Sequence, residues 1–352
     1  MQSTFSKQVL IAMSGGVDSS VAALLLKGQG YDCAGAMMKL FTGEADAESD
    51  NAFNDACATA EHIGLPFHIL DFSGVFAFHV IEHFICAYMR GATPNPCVEC
   101  NRHIKFGLFF SSALEAGYDY VATGHYARIE RGNNRYLLKK GADRNKDQSY
   151  VLYSLKQEVL SRILFPLGGL TKAGVRDIAL EHGLPNAGKN ESQDVCFIPD
   201  GDYSGYIERT AGITSKPGRI VDTEGNVLGE HKGLHRFTIG QRRGIGLSAG
   251  ESLYVCFIDP ENNTVVVGTR EKVFSKTLTA HSINLIAADT LDSPVRAAAK
   301  IRYKQPEQPA TVWQLDDDTL RVEFDEPQRA ITCGQSVVLY DGDTVIGGGI
   351  IT

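Results

Sequence analysis

Short apolar runs alternate with longer stretches of helical period through the first half of the chain. Val9, Leu10, Ile11, Ala12 and Met13 run without a polar break and predict a short buried strand, while Val21 to Leu26 predicts a helix. Ala34 to Phe41 and Pro66 to Phe72 are strand-like; Asn51 to Gly64 and Val75 to Arg90 are helical. Ile104 to Gly117 adds a helix, Tyr118 to Thr123 a strand, and Lys172 to His182 a later helix. This order predicts a parallel sheet covered by helices, with ligands bound at the carboxyl ends of the strands. The Ser14 loop, Met38-Lys39 and Gly124-His125 all fall at such ends.

After about residue 205 the pattern changes to short β-rich runs split by turn chemistry: Thr223-Glu224-Gly225-Asn226, Pro260-Glu261-Asn262-Asn263 and Asp316-Asp317-Asp318. From about Lys276 onward no helical period stands out, and alternation such as Leu320-Arg321-Val322-Glu323-Phe324 predicts a small barrel. The expected division is an α/β domain at 1–204, a small mixed or β-rich middle domain at 205–273, and a C-terminal β-barrel at 274–352. Barrels of this size often bind RNA, but a fold alone does not establish that.

Composition narrows the class. Of 352 residues, 43% are hydrophobic and 22% charged, as in soluble globular proteins. No apolar run reaches the length of a membrane helix, and MQSTFSKQVL lacks the apolar core of a signal peptide, so a cytoplasmic protein is expected. Eight cysteines without an export signal do not make a disulfide scaffold. Cys33, Cys57, Cys86, Cys256 and Cys333 are expected to be small buried hydrophobes. A net charge of −8 argues against non-specific nucleic-acid binding. Local patches can override that sign: residues 231–250 hold Lys232, Arg236, Arg242 and Arg243 and no Asp or Glu, and Lys139, Lys140, Arg144 and Lys146 form a second basic stretch.

The chemistry begins at Ser14-Gly15-Gly16-Val17-Asp18-Ser19, between the first strand and the first helix. Adjacent glycines allow a tight turn whose N–H groups face an anion, and the helix N-terminus adds positive partial charge. The Walker lysine is missing, and so is the Gly-x-Gly-x-x-Gly spacing of dinucleotide folds. The hexapeptide instead resembles the pyrophosphate loop of ATP pyrophosphatases, which adenylate an oxygen and release pyrophosphate.

Two cysteine segments follow. Thr93-Pro94-Asn95-Pro96-Cys97-Val98-Glu99-Cys100-Asn101 reads as a loop by its prolines, with a helix restarting at Ile104. Cys100 then lies near a helix N-terminus, where the dipole favours a thiolate and Arg102 and Lys105 add positive charge. Alone, Cys-x-x-Cys is compatible with half a zinc site (with His103 as a further candidate ligand), a redox pair, or a nucleophile with a companion. The second segment, Glu191 to Asp200, carries Cys196 in a polar loop, where the simplest expectation is a buried thiol beneath Val195 and Phe197.

Together these segments resemble the tRNA-specific 2-thiouridylase family over nearly the whole chain. The resemblance rests on Ala12-Met13-Ser14-Gly15-Gly16-Val17-Asp18-Ser19, Thr93-Pro94-Asn95-Pro96 with Cys100-Asn101 and Ile104-Lys105-Phe106, and Ala122-Thr123-Gly124-His125-Tyr126. It continues through Lys146-Asp147-Gln148-Ser149-Tyr150, Cys196-Phe197-Ile198, His235 to Gln241, Arg302-Tyr303 and Gly334-Gln335-Ser336. It implies an α/β, parallel-sheet ATP pyrophosphatase domain (adenine nucleotide alpha hydrolase-like) and an ATP- and Mg2+-dependent conversion of the wobble uridine of tRNA to 2-thiouridine.

By this resemblance Cys196 carries a persulfide and Cys100 is the second catalytic thiol. Ala12, Met13, Ser14, Gly15, Gly16, Val17, Asp18, Ser19, Met38 and Gly124 meet ATP. Asn95, Pro96 and Cys97 meet the target base, and His125, Lys146, Asp147, Gln148, Arg302, Tyr303 and Gln335 meet tRNA. A sulfur-donor protein (a cysteine desulfurase or sulfur-relay carrier) is implied, with no membrane partner, and a monomer is expected. The chemistry is coherent: adenylation turns the C2 oxygen into a leaving group, a persulfide supplies the sulfur nucleophile, and a second thiol resolves the first. Many family members have Asp where this chain has Cys97. That puts a carboxylate role in doubt, and Cys97, Cys100 and Cys196 open an iron–sulfur alternative. Competing readings are an amidating ATP pyrophosphatase, which would not need Cys100 and Cys196, and a non-enzymatic RNA-binding protein, which would leave the phosphate loop idle.

Overall fold

The computed structural model describes residues 6–41, 46–189, 195–213, 215–247 and 252–352. The chain divides into two compact units: Met1–Val80, Cys97–Gln193 and Asp343–Val345 in one, and Ile81–Pro96, Asp194–Gly342 and Ile346–Thr352 in the other.

The first unit is built on β1 (Gln8–Ala12), β2 (Asp32–Lys39), β3 (Phe67–Asp71), β4 (Tyr120–Ala122) and a short β7 (Ile163–Leu164). Their order is β3-β2-β1-β4-β7 and every pairing is parallel, so the predicted sheet is present. Val9, Leu10, Ile11 and Ala12 are all buried, as an uninterrupted apolar strand between two neighbours must be. The helix α1 (Val17–Gly28) buries Val17, Val21, Ala22, Ala23 and Leu26 against this sheet, and α2 (Asp46–Ile63) adds Ala56, Ala60 and Ile63. Strand order reverses at β1, whose neighbours are β2 and β4, and ligands of open parallel sheets bind outside such a switch point. A hairpin, β5 (Ala127–Arg131) and β6 (Tyr136–Lys140), had no counterpart in the sequence pattern.

Within the second unit, β8 (Gly218–Val221), β9 (Val227–His231), β10 (Tyr254–Asp259) and β11 (Thr264–Gly268) form a mixed sheet in the order β10-β11-β8-β9. A helix, Tyr203–Ala211, which the sequence pattern had not marked, precedes it; Asp202 caps it through its side chain and Gly212 ends it in the left-handed region. The strands β12 (Phe274–Leu285), β13 (Val295–Lys300), β14 (Gln308–Gln314), β15 (Leu320–Arg329), β16 (Ser336–Asp341) and β17 (Thr344–Ile351) close into a barrel through the β12–β17 pairing. Leu320, Val322 and Phe324 point into its core, as their alternation predicted. The segment 81–96 belongs to this unit although it lies far away in sequence. Thr93 N donates to the Cys333 carbonyl at 2.8 Å, and the ring of Phe84 lies 6.1 Å from that of Tyr203. Among the described residues no helix is long and apolar enough to cross a membrane.

Candidate active site

The loop after β1 is held in shape by its own hydroxyls. Ser19 Oγ accepts from Ser14 N at 3.2 Å and donates to the Gly16 carbonyl at 3.0 Å, and Ser20 Oγ donates to the same carbonyl at 3.0 Å. The two glycines differ. Gly15 has φ +70°, and a Cβ there would stand 2.2 Å from the Ala52 carbonyl oxygen; Gly16 caps α1 at φ −94°, where a Cβ meets only Ser14 Oγ at 3.5 Å. The turn therefore depends on Gly15. Gly124, just past β4, has its own constraint: a Cβ there would come within 2.9 Å of the Asp18–Ser19 backbone. Met38 lies near the carboxyl end of β2. Loop, Met38 and Gly124 thus occupy the ends of the three central strands, as expected.

Four residues around this loop were missed by the sequence reading. Tyr126 Oη and Lys172 Nζ each donate to Asp18 Oδ1 at 2.7 Å. Asn186, only 4% exposed, donates through Nδ2 to the Gly15 carbonyl at 3.1 Å and to Ser20 Oγ at 2.8 Å. Lys189 Nζ lies 3.4 Å from the Gly15 carbonyl and 2.5 Å from Asp55 Oδ2. No local motif marks them, because each contact except that to Asp55 reaches back to the loop across more than a hundred residues. Asp18 is a loop-fixing carboxylate here, with two donors on one oxygen.

The cysteine segments correct three expectations. The prolines of 93–101 do not make it all loop: a helical turn starts at Pro96 (Pro96–Glu99), where the fixed φ and missing N–H of proline suit a first helical position. It passes directly into a wide-wound π-helical stretch, Cys100–Leu108, a form that often marks functional sites. Nor does Cys100 enjoy a helix-start environment favouring a thiolate. It is 8% exposed, and burial pushes its thiol up, with Lys105 pulling the other way and the nearby Cys97 adding to the rise. Arg102 is engaged with Glu99 at 3.7 Å, and His103 lies 3.3 Å from the same carboxylate while stacking on His79. Cys97 is exposed, yet the protein packed around it also pushes its thiol up. Thirdly, Cys196 is exposed rather than buried; it is Phe197 and Ile198 that pack inward, with the Phe197 ring 5.4 Å from Phe84 and 5.3 Å from Tyr206. Glu191, Ser192, Gln193 and Asp194 lie outside the described residues.

Among the background cysteines Cys33 is buried as expected, Cys57 and Cys256 are half-buried, and Cys86 and Cys333 are exposed, contrary to expectation: Cys86 lies on the open side of the helix His83–Met89 and Cys333 in the turn between β15 and β16. No disulfide joins the eight. The iron–sulfur alternative does not fit: among the described residues, no three His, Cys, Asp or Glu side chains are grouped so as to hold a metal ion.

The expected tRNA residues divide by environment. His125 is buried against Phe106 and Phe165, with Nδ1 2.7 Å from Thr123 Oγ1, and burial holds its pKa far down, so it is neutral at physiological pH. Asp147 is turned inward onto Gly141 N, Ser149 N and Ser149 Oγ, and Gln148 accepts from Tyr126 N. Lys146 is half-buried in the same turn. In the second unit, Arg302 donates to the Ile239 and Ala330 carbonyls and to Thr332 Oγ1. Gln335 Nε2 donates to the carbonyls of Thr93 and Pro94 and so fixes the extended segment that leads to Asn95 and Pro96. Tyr303 is exposed beneath Lys300. Of the basic segment, Lys232, Arg242 and Arg243 are exposed, whereas Arg236 is paired with Glu208.

An anion loop at the switch point of an open parallel sheet defines a nucleotide-handling domain, and residues 7–200 match the model described as the tRNA methyl transferase HUP domain. Residues 206–269 match its PRC-barrel domain and 275–351 the aminomethyltransferase beta-barrel domain. Relatives matched from end to end carry a more specific name, tRNA-specific 2-thiouridylase MnmA. That of Clostridioides difficile (strain 630) is 50% identical over 354 residues, covering 98% of each chain. That of Acetivibrio thermocellus is 48% identical over 356 residues, covering 98% of this chain and 99% of the other. That of Halothermothrix orenii is 47% identical, covering 98% of each. The chain belongs to the tRNA-specific 2-thiouridylase family.

Proposed function

We propose that this protein is a tRNA-uridine 2-sulfurtransferase: it adenylates the C2 oxygen of the wobble uridine (position 34) with ATP and replaces it with persulfide-derived sulfur, giving 2-thiouridine, AMP and pyrophosphate. The observation that carries the reading is the left-handed Gly15 turn at the head of α1, in the same unit as a buried thiol at Cys100. The loop amides and the α1 N-terminus take the pyrophosphate, and Mg2+ arrives with ATP. Ala12 to Ser19, Met38 and Gly124 form the ATP site; Asn95, Pro96 and Cys97 meet the base.

The sulfur step follows the environments of the thiols. Cys196 is exposed, which suits a residue that receives sulfur from a donor protein and presents the terminal sulfur to the adenylated C2. Cys100, buried and held mostly protonated, is suited to attack only once Lys105 or the substrate offsets the cost of its charge. Attack of the Cys100 thiolate on the persulfide's inner sulfur forms a Cys100–Cys196 disulfide and expels hydrosulfide, which displaces AMP from C2. Exposed Arg242, Arg243, Tyr303 and Lys304 hold tRNA, and Lys146 and Gln335 contribute further contacts. Three modules (1–204, 205–273 and 274–352) divide adenylation from RNA holding, and the enzyme acts as a monomer in the cytoplasm.

Mass spectrometry of tRNA nucleosides, after incubation with ATP and a persulfide donor, tests the proposal: 2-thiouridine with AMP and pyrophosphate is expected. Cys196→Ala should lose thiolation while still binding ATP. Release of ADP and phosphate would overturn the adenylation assignment, and full activity in Cys196→Ala would overturn the sulfur route.

A further inference from the structure

The phosphate loop offers amides and hydroxyls to a polyanion, but its one formal charge is the carboxylate of Asp18, and it lacks a lysine of its own. Two lysines from the far end of the unit come within contact distance of it. They are not equivalent. Lys172 is committed: its side chain is 12% exposed, and it shares Asp18 Oδ1 with Tyr126. That pairing neutralises the loop's carboxylate and leaves no surplus charge for a ligand. Lys189 is 37% exposed, paired with an equally exposed Asp55, and only loosely placed on the Gly15 carbonyl at 3.4 Å. An ion pair this open to water holds little free energy, so the ammonium can trade Asp55 for a stronger acceptor at small cost.

We propose that Lys189 is a ligand of the pyrophosphate half of ATP, supplying from the 184–189 segment the cation that the loop sequence omits. A lysine ammonium on a flexible stem is a point charge suited to this task. The segment that carries it is built to stay at the loop: three residues earlier, buried Asn186 grips the Gly15 carbonyl and Ser20 Oγ, so the backbone beneath Lys189 moves with the loop. Asp55 then serves as a resting partner, holding the ammonium until phosphate oxygens replace the carboxylate. The inference rests on the ATP-pyrophosphatase reading and extends it to a residue that the motif does not contain.

Calorimetric titration of the full-length protein with Mg2+-pyrophosphate tests it, with no need for tRNA or a sulfur donor. Lys189→Met should weaken binding by about tenfold to a hundredfold, the worth of one charge-assisted hydrogen bond. Lys189→Arg should stay near the wild-type affinity, and Asp55→Asn should bind as tightly or more tightly, because the competing carboxylate is gone. Unchanged affinity in Lys189→Met overturns the proposal. So does an equal loss in Asp55→Asn, which is the signature of a pair that merely braces the loop and decides the matter even if Lys189→Met does not fold. If the wild-type protein takes up no pyrophosphate, the ATP-pyrophosphatase reading falls as well.

Discussion

Lys172 Nζ and Asp18 Oδ1 stand 2.7 Å apart across 154 residues of sequence, so the first turn of α1 is fixed by the start of a much later helix, Lys172–Glu181. Removing the lysine leaves the carboxylate beside the anion site without its counter-charge, where it repels phosphate. Lys172→Met is expected to raise KM for ATP by about tenfold, roughly the effect of one lost charge pair at intermediate dielectric. Adding Asp18→Asn should recover part of the loss. Pyrophosphate release against ATP concentration measures both, and an unaltered KM in the single variant would count against the arrangement.

The two loop glycines should respond unequally. Gly15→Ala needs a left-handed φ and places a methyl 2.2 Å from the Ala52 carbonyl, so the turn must open; about a hundredfold loss of ATP turnover is expected from such a displacement. Gly16→Ala meets only an ordinary contact, 3.5 Å from Ser14 Oγ, and should lose far less. Equal losses would show that the backbone amide environment, not the Gly15 conformation, limits the site.

Burial raises the Cys100 thiol and Lys105 opposes that rise, so the thiolate fraction at neutral pH is small and grows with alkalinity. Single-turnover thiolation is expected to increase with pH from 7 to about 9 without levelling off, because a thiol raised above the ordinary range is still ionising there. Lys105→Met should push this limb to still higher pH. A pH-independent rate in both proteins would remove Cys100 ionisation from the rate-limiting step.

Glu208 accepts from Ser215, His235 and Arg236, and those bonds hold its carboxyl down to about 2. A depressed carboxylate contributes stability that is fully present above its unfolded value of about 4.3 and is lost as pH falls toward 2. Acid unfolding followed by circular dichroism should therefore show a steep loss between about pH 4.5 and 2 that flattens in Glu208→Gln. An identical acid profile in the two proteins would assign the loss elsewhere.

Binding to tRNA should depend on salt through the exposed basic residues. Arg242→Ala with Arg243→Ala is expected to lower the slope of log affinity against log salt by about two, one for each lost phosphate contact. Because His125 is buried and neutral, lowering the pH from 7.5 to 6 should not strengthen binding through that residue, and its ring resonances should not titrate in this range. A His125 titration near pH 6.5 would contradict the packing.

Sequence reading reached the sheet, its order of elements and the ends that carry the loop, Met38 and Gly124, because strand burial and glycine turns are local signals. It did not reach β7, whose two residues are too short to have a period, or the β5–β6 hairpin. Pro94 and Pro96 pointed to a loop, and Pro96 in fact begins a helical turn, since proline both breaks and starts helices. The environments of the thiols were legible only in part. Exposure of Cys196 and burial of Cys100 depend on what the fold lays over them, which spacing does not record. Lys172, Asn186 and Lys189 were illegible for the same reason: the contacts that tie them to the loop are made across 154 or more residues.

The segment 81–96 has a consequence for anyone wishing to work with less than the whole protein. A fragment ending at residue 200 looks self-sufficient on paper, because it holds the loop, Cys100 and Cys196 and coincides with one family match. Yet it would keep Phe84, Tyr88 and Thr93 while discarding Tyr203, Thr238, Cys333 and Gln335, the groups that receive them. Such a truncation would strand a ribbon of apolar surface in solvent and should be recovered as aggregates. Shortening this enzyme from its C-terminal end therefore removes support from a stretch that lies within its first hundred residues.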